Sequence, residues 1–514
     1  MDKTMILYRG SLKSCNYHCS YCPFSKHRGL QGEYDRDRQQ WERFVESIFR
    51  RTQNGWKPGA LMIVPYGEAL IHSWYWEGLG RLAVLKSMEA LGAQTNLSFP
   101  IEQSLDLYQK AGGRKEKLRL WATFHPEMTE AKVFAQRCEC LLKEGVTLCA
   151  GAVGVPENLQ NIRLLRQYLP KEIYLWINKM DGLKRPYTQK EQADFAEIDP
   201  LFLRELIPVK AAPCRCRGRF FVEGDGKIRS CNISPVRKEN WYDLEGENGP
   251  DAYTCLALES VCSRKQCSCY LAYGGRSDAM NQILFGDYPL FRIPRNPKAV
   301  FLDIDGTLLL KEEQTDPIKT GRQKQNTGRL PEQTKRELEL LRNQGTKLFF
   351  ATSLPCEIAA RRCREIWHLF EGGVFGGGGY VVWQGQEGVR EKLYPINETY
   401  HQTLKELGES LGCRVLIYKK EALAYKITFL RPGKKGWKAK EGEEAVRQCQ
   451  ERCEKQVRGF LEGQCLEIVA AGAGKGEGVR VLCRWLGISP ADAAAAGDSP
   501  EDQEMIRMCK NFPV

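Results

Sequence analysis

No stretch of this 514-residue chain approaches the ~18–20 consecutive apolar residues that a helix needs to cross a bilayer, which excludes a membrane-spanning helix. The opening Met1-Asp-Lys-Thr4 leads into a short apolar run without the apolar core of a signal peptide, so a cytoplasmic protein is expected. No RNA-binding module is recognisable, and the net charge of +12 is scattered along the chain. Nucleic acid is therefore not an expected partner, whereas anionic substrates such as phosphates are compatible. No peptide-recognition domain is readable near the N-terminus. A disulfide framework is not expected either: 21 cysteines in a reducing compartment point to metal or cluster ligation. The charged fraction of 27% and hydrophobic fraction of 42% are those of a globular protein, and the length calls for two or more domains.

Three of the cysteines form Cys15-Asn-Tyr-His-Cys19-Ser-Tyr-Cys22, just after the apolar run Met5-Ile-Leu-Tyr8, which reads as a buried strand. Three thiolates can hold three irons of a 4Fe-4S cluster, which ordinarily takes four. The fourth iron then stays open to a small molecule. The bland alternatives are a zinc knuckle or three unrelated thiols, with His18 a polar filler. The C-x3-C-x2-C loop resembles that of the radical SAM superfamily. The resemblance implies that the open iron chelates S-adenosylmethionine (SAM). It also implies that one electron, from a donor such as flavodoxin or ferredoxin, cleaves the sulfonium to a 5'-deoxyadenosyl radical. Tyr21 matches the aromatic position of that family's motif.

Further apolar runs follow at Ala60–Val64, Ala93–Asn96, Leu118–Ala122, Val146–Ala150 and Ile173–Ile177. Helical stretches separate them, as in repeating βα units with a parallel sheet. The fold class is α/β, and the resemblance implies a partial (β/α)6 TIM-like barrel with its site at the C-terminal strand ends. Pro65-Tyr-Gly67-Glu68 resembles the family's Gly-Gly-Glu segment, with Tyr66 in place of the first Gly; by that resemblance Gly67 and Glu68 hold the SAM amino group. Asn96 and Thr123 end the third and fourth strands, Gly151 to Gly154 end the fifth and leave room for close backbone approach, and Asn178 and Lys179 end the sixth. Ends of strands four to six contact SAM in the family. Singly, each such residue reads as a turn or cap; together, behind the cysteine loop, they mark a site. Cys138, Cys140 and Cys149 read as helix or core residues.

A second cysteine group follows. Cys214-Arg-Cys216 precedes a hairpin, Phe220 to Glu223 and Lys227 to Ser230 around a Gly-Asp-Gly turn, that ends at Cys231. Cys255, Cys262, Cys267 and Cys269 come later. The first spacing resembles the opening of SPASM/twitch modules, which implies an auxiliary 4Fe-4S cluster. The second half is tighter than the full pattern, so a one-cluster module is expected. Its ligands are Cys214 or Cys216, Cys231, Cys267 and Cys269, with Cys255 and Cys262 in reserve. A zinc site built from the same thiolates is the alternative.

After the charged, proline-bearing Arg292-Ile-Pro-Arg-Asn-Pro297, an apolar strand runs into Asp303-Ile-Asp305-Gly-Thr307. Two carboxylates at i and i+2 can act as nucleophile and proton carrier toward phosphorus. Lys347 to Thr352-Ser353 is a strand ending in hydroxyls. Lys475 supplies a cation, and Gly497-Asp498-Ser-Pro-Glu-Asp502 an acidic loop suited to Mg2+. The set resembles haloacid dehalogenase (HAD) phosphatases. The resemblance implies Asp303 as nucleophile, Asp305 as general acid/base, and Thr352, Ser353 and Lys475 on the phosphate. Mg2+ then falls to Asp303, Asp305, Asp498 and Asp502. Roughly 120 residues separate Ser353 from Lys475, far beyond ordinary connections of ~2–6. They read as a C2-type cap of the Cof kind, with strands at Val415–Tyr418, Ala424–Phe429 and Leu466–Val469 and a helix at Arg447–Arg458. Gly376 to Gly379 read as a hinge or turn into it. Basic stretches at Lys319–Arg329 and Arg431–Lys440 read as solvated loops or a phosphate-guiding rim. The chain stops soon after the acidic motif, where HAD sheets usually continue, so a short sheet edge or a truncated sequence is expected.

The expected domains are therefore residues 1–205, the radical SAM core, and 206–290, the auxiliary-cluster module. A linker at 291–298 precedes a Rossmann-like HAD core at 299–353 and 471–514, with its cap at 354–470. The expectation is a bifunctional enzyme acting on a small, phosphorylated metabolite. A peptide-modifying maturase with an accessory HAD domain is the alternative, which leaves a small molecule or a peptide as the substrate.

Overall fold

The computed structural model describes residues 4–22, 28–206, 209–210, 219–244, 266–267, 279–309, 330–432, 436–462 and 464–509. Two compact units emerge, Met1–Arg295 and Asn296–Val514. No helix among the described residues is long and apolar enough to cross a membrane.

In the first unit six strands lie in parallel and in sequence order. They are β1 (Met5–Arg9), β2 (Ala60–Ile63), β3 (Ala90–Thr95), β4 (Leu118–Phe124), β5 (Thr147–Gly154) and β6 (Leu175–Lys179). Each is followed by helix, in turn α1 (Gln31–Gln53), α2 (Ser73–Ala83), α3 (Ile101–Lys110), α4 (Ala131–Lys143), α5 (Leu159–Tyr168) and α6 (Gln189–Ile198). Strands β1 and β2 are buried at every residue, as parallel strands covered on both faces must be. Helix α1 shows why the cover fits. Its buried Trp41, Phe44, Val45 and Ile48 fall on one helical stripe, and Tyr8 of β1 meets Trp41 and Phe44 with ring centroids 4.9 and 4.4 Å apart. Cys138 and Cys149 are buried and Cys140 is exposed, in α4 and β5 as their reading as helix or core residues requires.

Gly151 to Gly154 end the fifth strand as expected, paired with Trp176 to Lys179 of β6. Small residues there let neighbouring strands and Trp121 close in. One expectation needs correction, and it concerns the hairpin of the 206–290 module. After β7 (Val209–Lys210), strands β8 (Arg219–Glu223) and β9 (Lys227–Arg229) do form it, but it extends the main sheet. β8 runs parallel to β1, and β10 (Val236–Asn240) adds outside β9. Trp241 anchors this edge, donating from Nε1 to Ser47 Oγ of α1 at 2.7 Å, with the Arg51 guanidinium 3.8 Å from its ring centroid. β11 (Gln266–Cys267) pairs with β7 in a separate two-stranded sheet. Cys214, Cys216, Cys255, Cys262, Cys269 and the side chain of Cys267 lie outside the described residues.

The expected linker at 291–298 is corrected at its start, where Phe291 and Arg292 are buried. Arg292 is wholly buried in the first unit. Its guanidinium lies between Trp121 and Trp176, 3.9 and 3.4 Å from the ring centroids. It donates to Asn178 Oδ1 at 3.1 Å and faces Glu205 at 3.8 Å. A charge this deep is tolerated because it is paired and stacked.

The second unit holds two sheets. The six-stranded one joins β12 (Ala299–Leu302), β13 (Lys347–Ala351), β14 (Gly372–Phe375), β15 (Tyr380–Gly385), β16 (Gly388–Leu393) and β21 (Ala493–Ala496), in the order β16-β15-β14-β13-β12-β21. β21, β12, β13 and β14 are parallel, and β15 and β16 are antiparallel. A four-stranded antiparallel sheet contains β17 (Arg414–Lys420), β18 (Leu423–Leu430), β19 (Val457–Glu462) and β20 (Cys465–Ala470), ordered β17-β18-β20-β19. It packs on helices His401–Ser410 and Ala439–Arg452 through Leu404, Ala445, Ile427, Phe429 and Leu466. Strands β14 to β16 therefore belong to the core sheet, although the expected cap began at 354. Gly376 to Gly379 form the turn between β14 and β15, inside the core. The expected helix ends at Arg452, and β19 follows it.

Candidate functional site

The loop after β1 crosses the C-terminal ends of the parallel strands. A cavity of about 500 Å³ opens there. Its walls include Cys15, Cys19, Cys22 and Tyr21 from the loop, Gly67 and Glu68 after β2, Asn96 after β3 and Thr123 in β4. Every residue expected around the first cluster and SAM thus borders one space. Tyr17, Trp121, His125, Asp181 and Asn232 line it too and were not singled out from sequence as site residues; Trp121 had passed as an ordinary member of an apolar run. Asn232 directly follows Cys231, the described member of the expected auxiliary ligands.

Glu68 is 2% exposed and is the best-connected group. It accepts from Thr95 Oγ1 at 2.8 Å, Leu70 N at 3.1 Å and Asn96 N at 2.6 Å. Burial nevertheless pushes its carboxyl up to about 7, against these donors. Asn96 Nδ2 donates to Asn16 Oδ1 at 3.1 Å, and Glu68 N to Ser14 O at 3.1 Å, so both are tied to the cysteine loop. The other end of the loop meets the exit of β4. Ser20 donates from N and Oγ to the two carboxylate oxygens of Glu127, both at 2.6 Å. Tyr21 OH lies 2.9 Å from His125 Nδ1. Burial holds the His125 imidazole down at about 4, so it is neutral at pH 7.

The three cysteines are free thiols. Burial pushes Cys15 up to about 11 and Cys19 up to about 12. Such thiols stay protonated until a metal displaces the proton. All three cysteines border the cavity into which the buried Glu68 also faces.

In the second unit Asp303 follows β12 and is 2% exposed. Lys475, at the start of the helix Lys475–Leu486, donates to Asp303 Oδ1 at 3.0 Å and to Asp502 Oδ1 at 2.7 Å. Burial raises the Asp303 carboxyl, with Lys475 opposing and Asp502 reinforcing. Burial also works against the Lys475 ammonium, but the two carboxylates hold it above its ordinary value. Ser499 donates from N and Oγ to Asp502 Oδ2 at 2.9 and 2.7 Å, which orients that carboxylate. Oxygens of Asp303, Asp498 and Asp502 all lie within 4.8 Å of one another. Their geometry and chemistry fit a hard divalent cation. Asp305, expected among the cation's ligands, is not in this group; its oxygens accept from Arg362 at 2.6 and 2.7 Å. Thr352 and Ser353 are buried at the end of β13.

Two contacts from the four-stranded sheet reach the same region. Lys426 of β18 donates to Ser353 O at 2.6 Å and pairs with Glu467 at 3.1 Å. Arg458 of β19 donates to Glu501 Oε2 at 2.5 Å. The sequence carries a signal for the first: Lys426 and Thr428 alternate with Ile427 and Phe429, giving the strand one polar face.

Comparison with known proteins bears on this second unit. A family model described as haloacid dehalogenase-like hydrolase matches residues 437–512, a span that includes Lys475, Asp498 and Asp502. The C-terminal part of the chain thus carries a HAD-like hydrolase domain. No curated protein matches the chain. Similar solved structures include a HAD subclass IIB sugar phosphatase, 19% identical, covering 41% of this chain and 84% of that one with TM-score 0.33. A haloacid dehalogenase-like hydrolase from Bacteroides thetaiotaomicron is 16% identical, covering 41% and 85% with TM-score 0.33. One from B. subtilis is 14% identical, covering 41% and 86% with TM-score 0.31.

Proposed function

We propose that this chain is a bifunctional enzyme, pairing radical SAM chemistry in its first unit with Mg2+-dependent phosphate-monoester hydrolysis in its second. The sheet of the first unit is read as the partial barrel of that superfamily. What supports the first half is the convergence of Cys15, Cys19, Cys22, Glu68, Asn96 and Thr123 on one cavity from separate strand ends. A 4Fe-4S cluster on the three thiolates would supply the electron that cleaves SAM. Glu68 would accept from the SAM amino group, and Asn96 would keep the loop and β3 in register. The cavity volume of about 500 Å³ suits a small-molecule site, commonly ~300–1,000 Å³, which favours a metabolite over a polymer.

In the second half Asp303 attacks phosphorus and the bond to the leaving oxygen breaks. Asp305 gives that oxygen a proton, then takes one from the water that frees phosphate and Asp303. To do so Asp305 must exchange Arg362 for the reacting oxygen. Lys475 balances the phosphoryl charge and keeps Asp303 placed. Mg2+ would be held by Asp303, Asp498 and Asp502 and would neutralise negative charge on the phosphoryl group. The four-stranded sheet is read as the cap over a small phosphorylated substrate.

The deciding experiment is iron and sulfide content after anaerobic reconstitution, wild type against the combined Cys15→Ala, Cys19→Ala and Cys22→Ala variant. A loss of about four irons per chain supports the cluster. Equal iron in both proteins would end the first half of the proposal.

A further inference from the structure

Ser20 sits between two of the loop cysteines, in a turn closed by the 3.2 Å bond from Cys22 N to Cys19 O. Its two donors are both spent on Glu127, one to each carboxylate oxygen. Tyr21, the next residue, meets His125 of the same β4 exit. The Cys15 half of the loop is tied elsewhere, through Ser14 to Glu68 and Gly29 and through Asn16 to Asn96. The Cys19–Cys22 half is thus tied to the sheet through the segment His125-Pro-Glu127.

We propose that Glu127 is a positioning residue that fixes the Cys19–Cys22 turn and lowers the reduction potential of the cluster held there. The inference rests on the cluster reading above. Cluster potential depends on net charge and on hydrogen bonds to the sulfurs. A backbone N–H aimed at a cluster sulfur stabilises the added electron. The Ser20 N–H is committed to a carboxylate instead, and that carboxylate brings a negative charge beside the cluster. Both effects make the reduced state harder to reach and more strongly reducing, which is what cleavage of a sulfonium requires. Glu127 is exposed, so salt screens the charge part of the effect but leaves the hydrogen-bond part.

The test uses the full chain with Glu127→Gln and Glu127→Ala, each reconstituted anaerobically. Midpoints come from a reductive titration of the EPR signal that the triple cysteine variant lacks, and iron loss is timed against a chelator. Circular dichroism and urea midpoints equal to wild type report that the first unit of each variant is folded. Glu127→Gln should keep wild-type iron and favour reduction by about three- to tenfold, roughly 30–60 mV more positive. Glu127→Ala should shift the same way and also lose iron several-fold faster. Iron-loaded proteins with equal midpoints and equal iron loss would overturn the inference alone. A wild type without cysteine-dependent iron would overturn the cluster reading and this inference with it.

Discussion

Glu68 illustrates how much one side chain can be asked to satisfy. Three donors from two strand ends point at one buried carboxylate. Replacing it with Ala strands them, and each unpaired buried group costs about 1–3 kcal/mol. Glu68→Ala should therefore destabilise the first unit by about 3 kcal/mol or more in urea unfolding. Asp303 carries a functional prediction. Asp303→Asn should lower turnover of p-nitrophenyl phosphate by at least about 10³-fold, with folded secondary structure unchanged by circular dichroism; retained activity would locate the nucleophile elsewhere. Both residues stand out in sequence because their motifs span only a few positions, the first with Tyr66 where a Gly is the rule. Arg362, His125 and Glu127 were not legible as partners, because each reaches its counterpart from 57 to 107 positions away.

At the scale of elements, spacing identified most strands and misjudged their ends. The apolar run of β5 stops at Ala150, and the strand continues through Gly151 to Gly154, where small residues serve close packing. The core sheet was cut short at β13 because the long insertion hid three strands that rejoin it. The turn between β14 and β15 offers a direct test. Gly378 has φ +103°, and a Cβ there would lie 2.3 Å from the backbone of Gly474, the residue before Lys475. Gly378→Ala combines a strained backbone with a collision, and should displace Lys475 from Asp303. A thermal midpoint lowered by several degrees together with phosphatase loss is expected; a variant with wild-type values for both would show that this approach is relaxed in solution.

For the molecule as a whole, the buried ionisable groups of the first unit favour mild acid. Burial raises Asp199 to about 6, against its bonds from Tyr174, Ile177 and Leu201, and raises Glu205 to about 7, against Arg292. Acids whose folded values exceed the unfolded ones stabilise the fold fully below about pH 4. They lose that contribution as pH rises toward 6 and 7. At about 1.4 kcal/mol per unit, these two groups should make the first unit more stable at pH 5 than at pH 7.5 by roughly 4 kcal/mol. Urea midpoints across that range measure it, and Glu205→Gln should flatten the slope. A midpoint that rises with pH would contradict the assignment.

Arg292 gives the fold an order in time. The six parallel strands are all synthesised by Lys179, yet the cation that fills the space between Trp121 and Trp176 arrives more than a hundred residues later. At translation rates of ~5–20 residues per second, the sheet waits on the order of ten seconds for its last internal side chain. During that interval Glu205 and the two indoles face a gap that water or a chaperone must cover. A nascent chain released before residue 292 would hold every strand of the nine-stranded sheet and still lack the cation that fills this space.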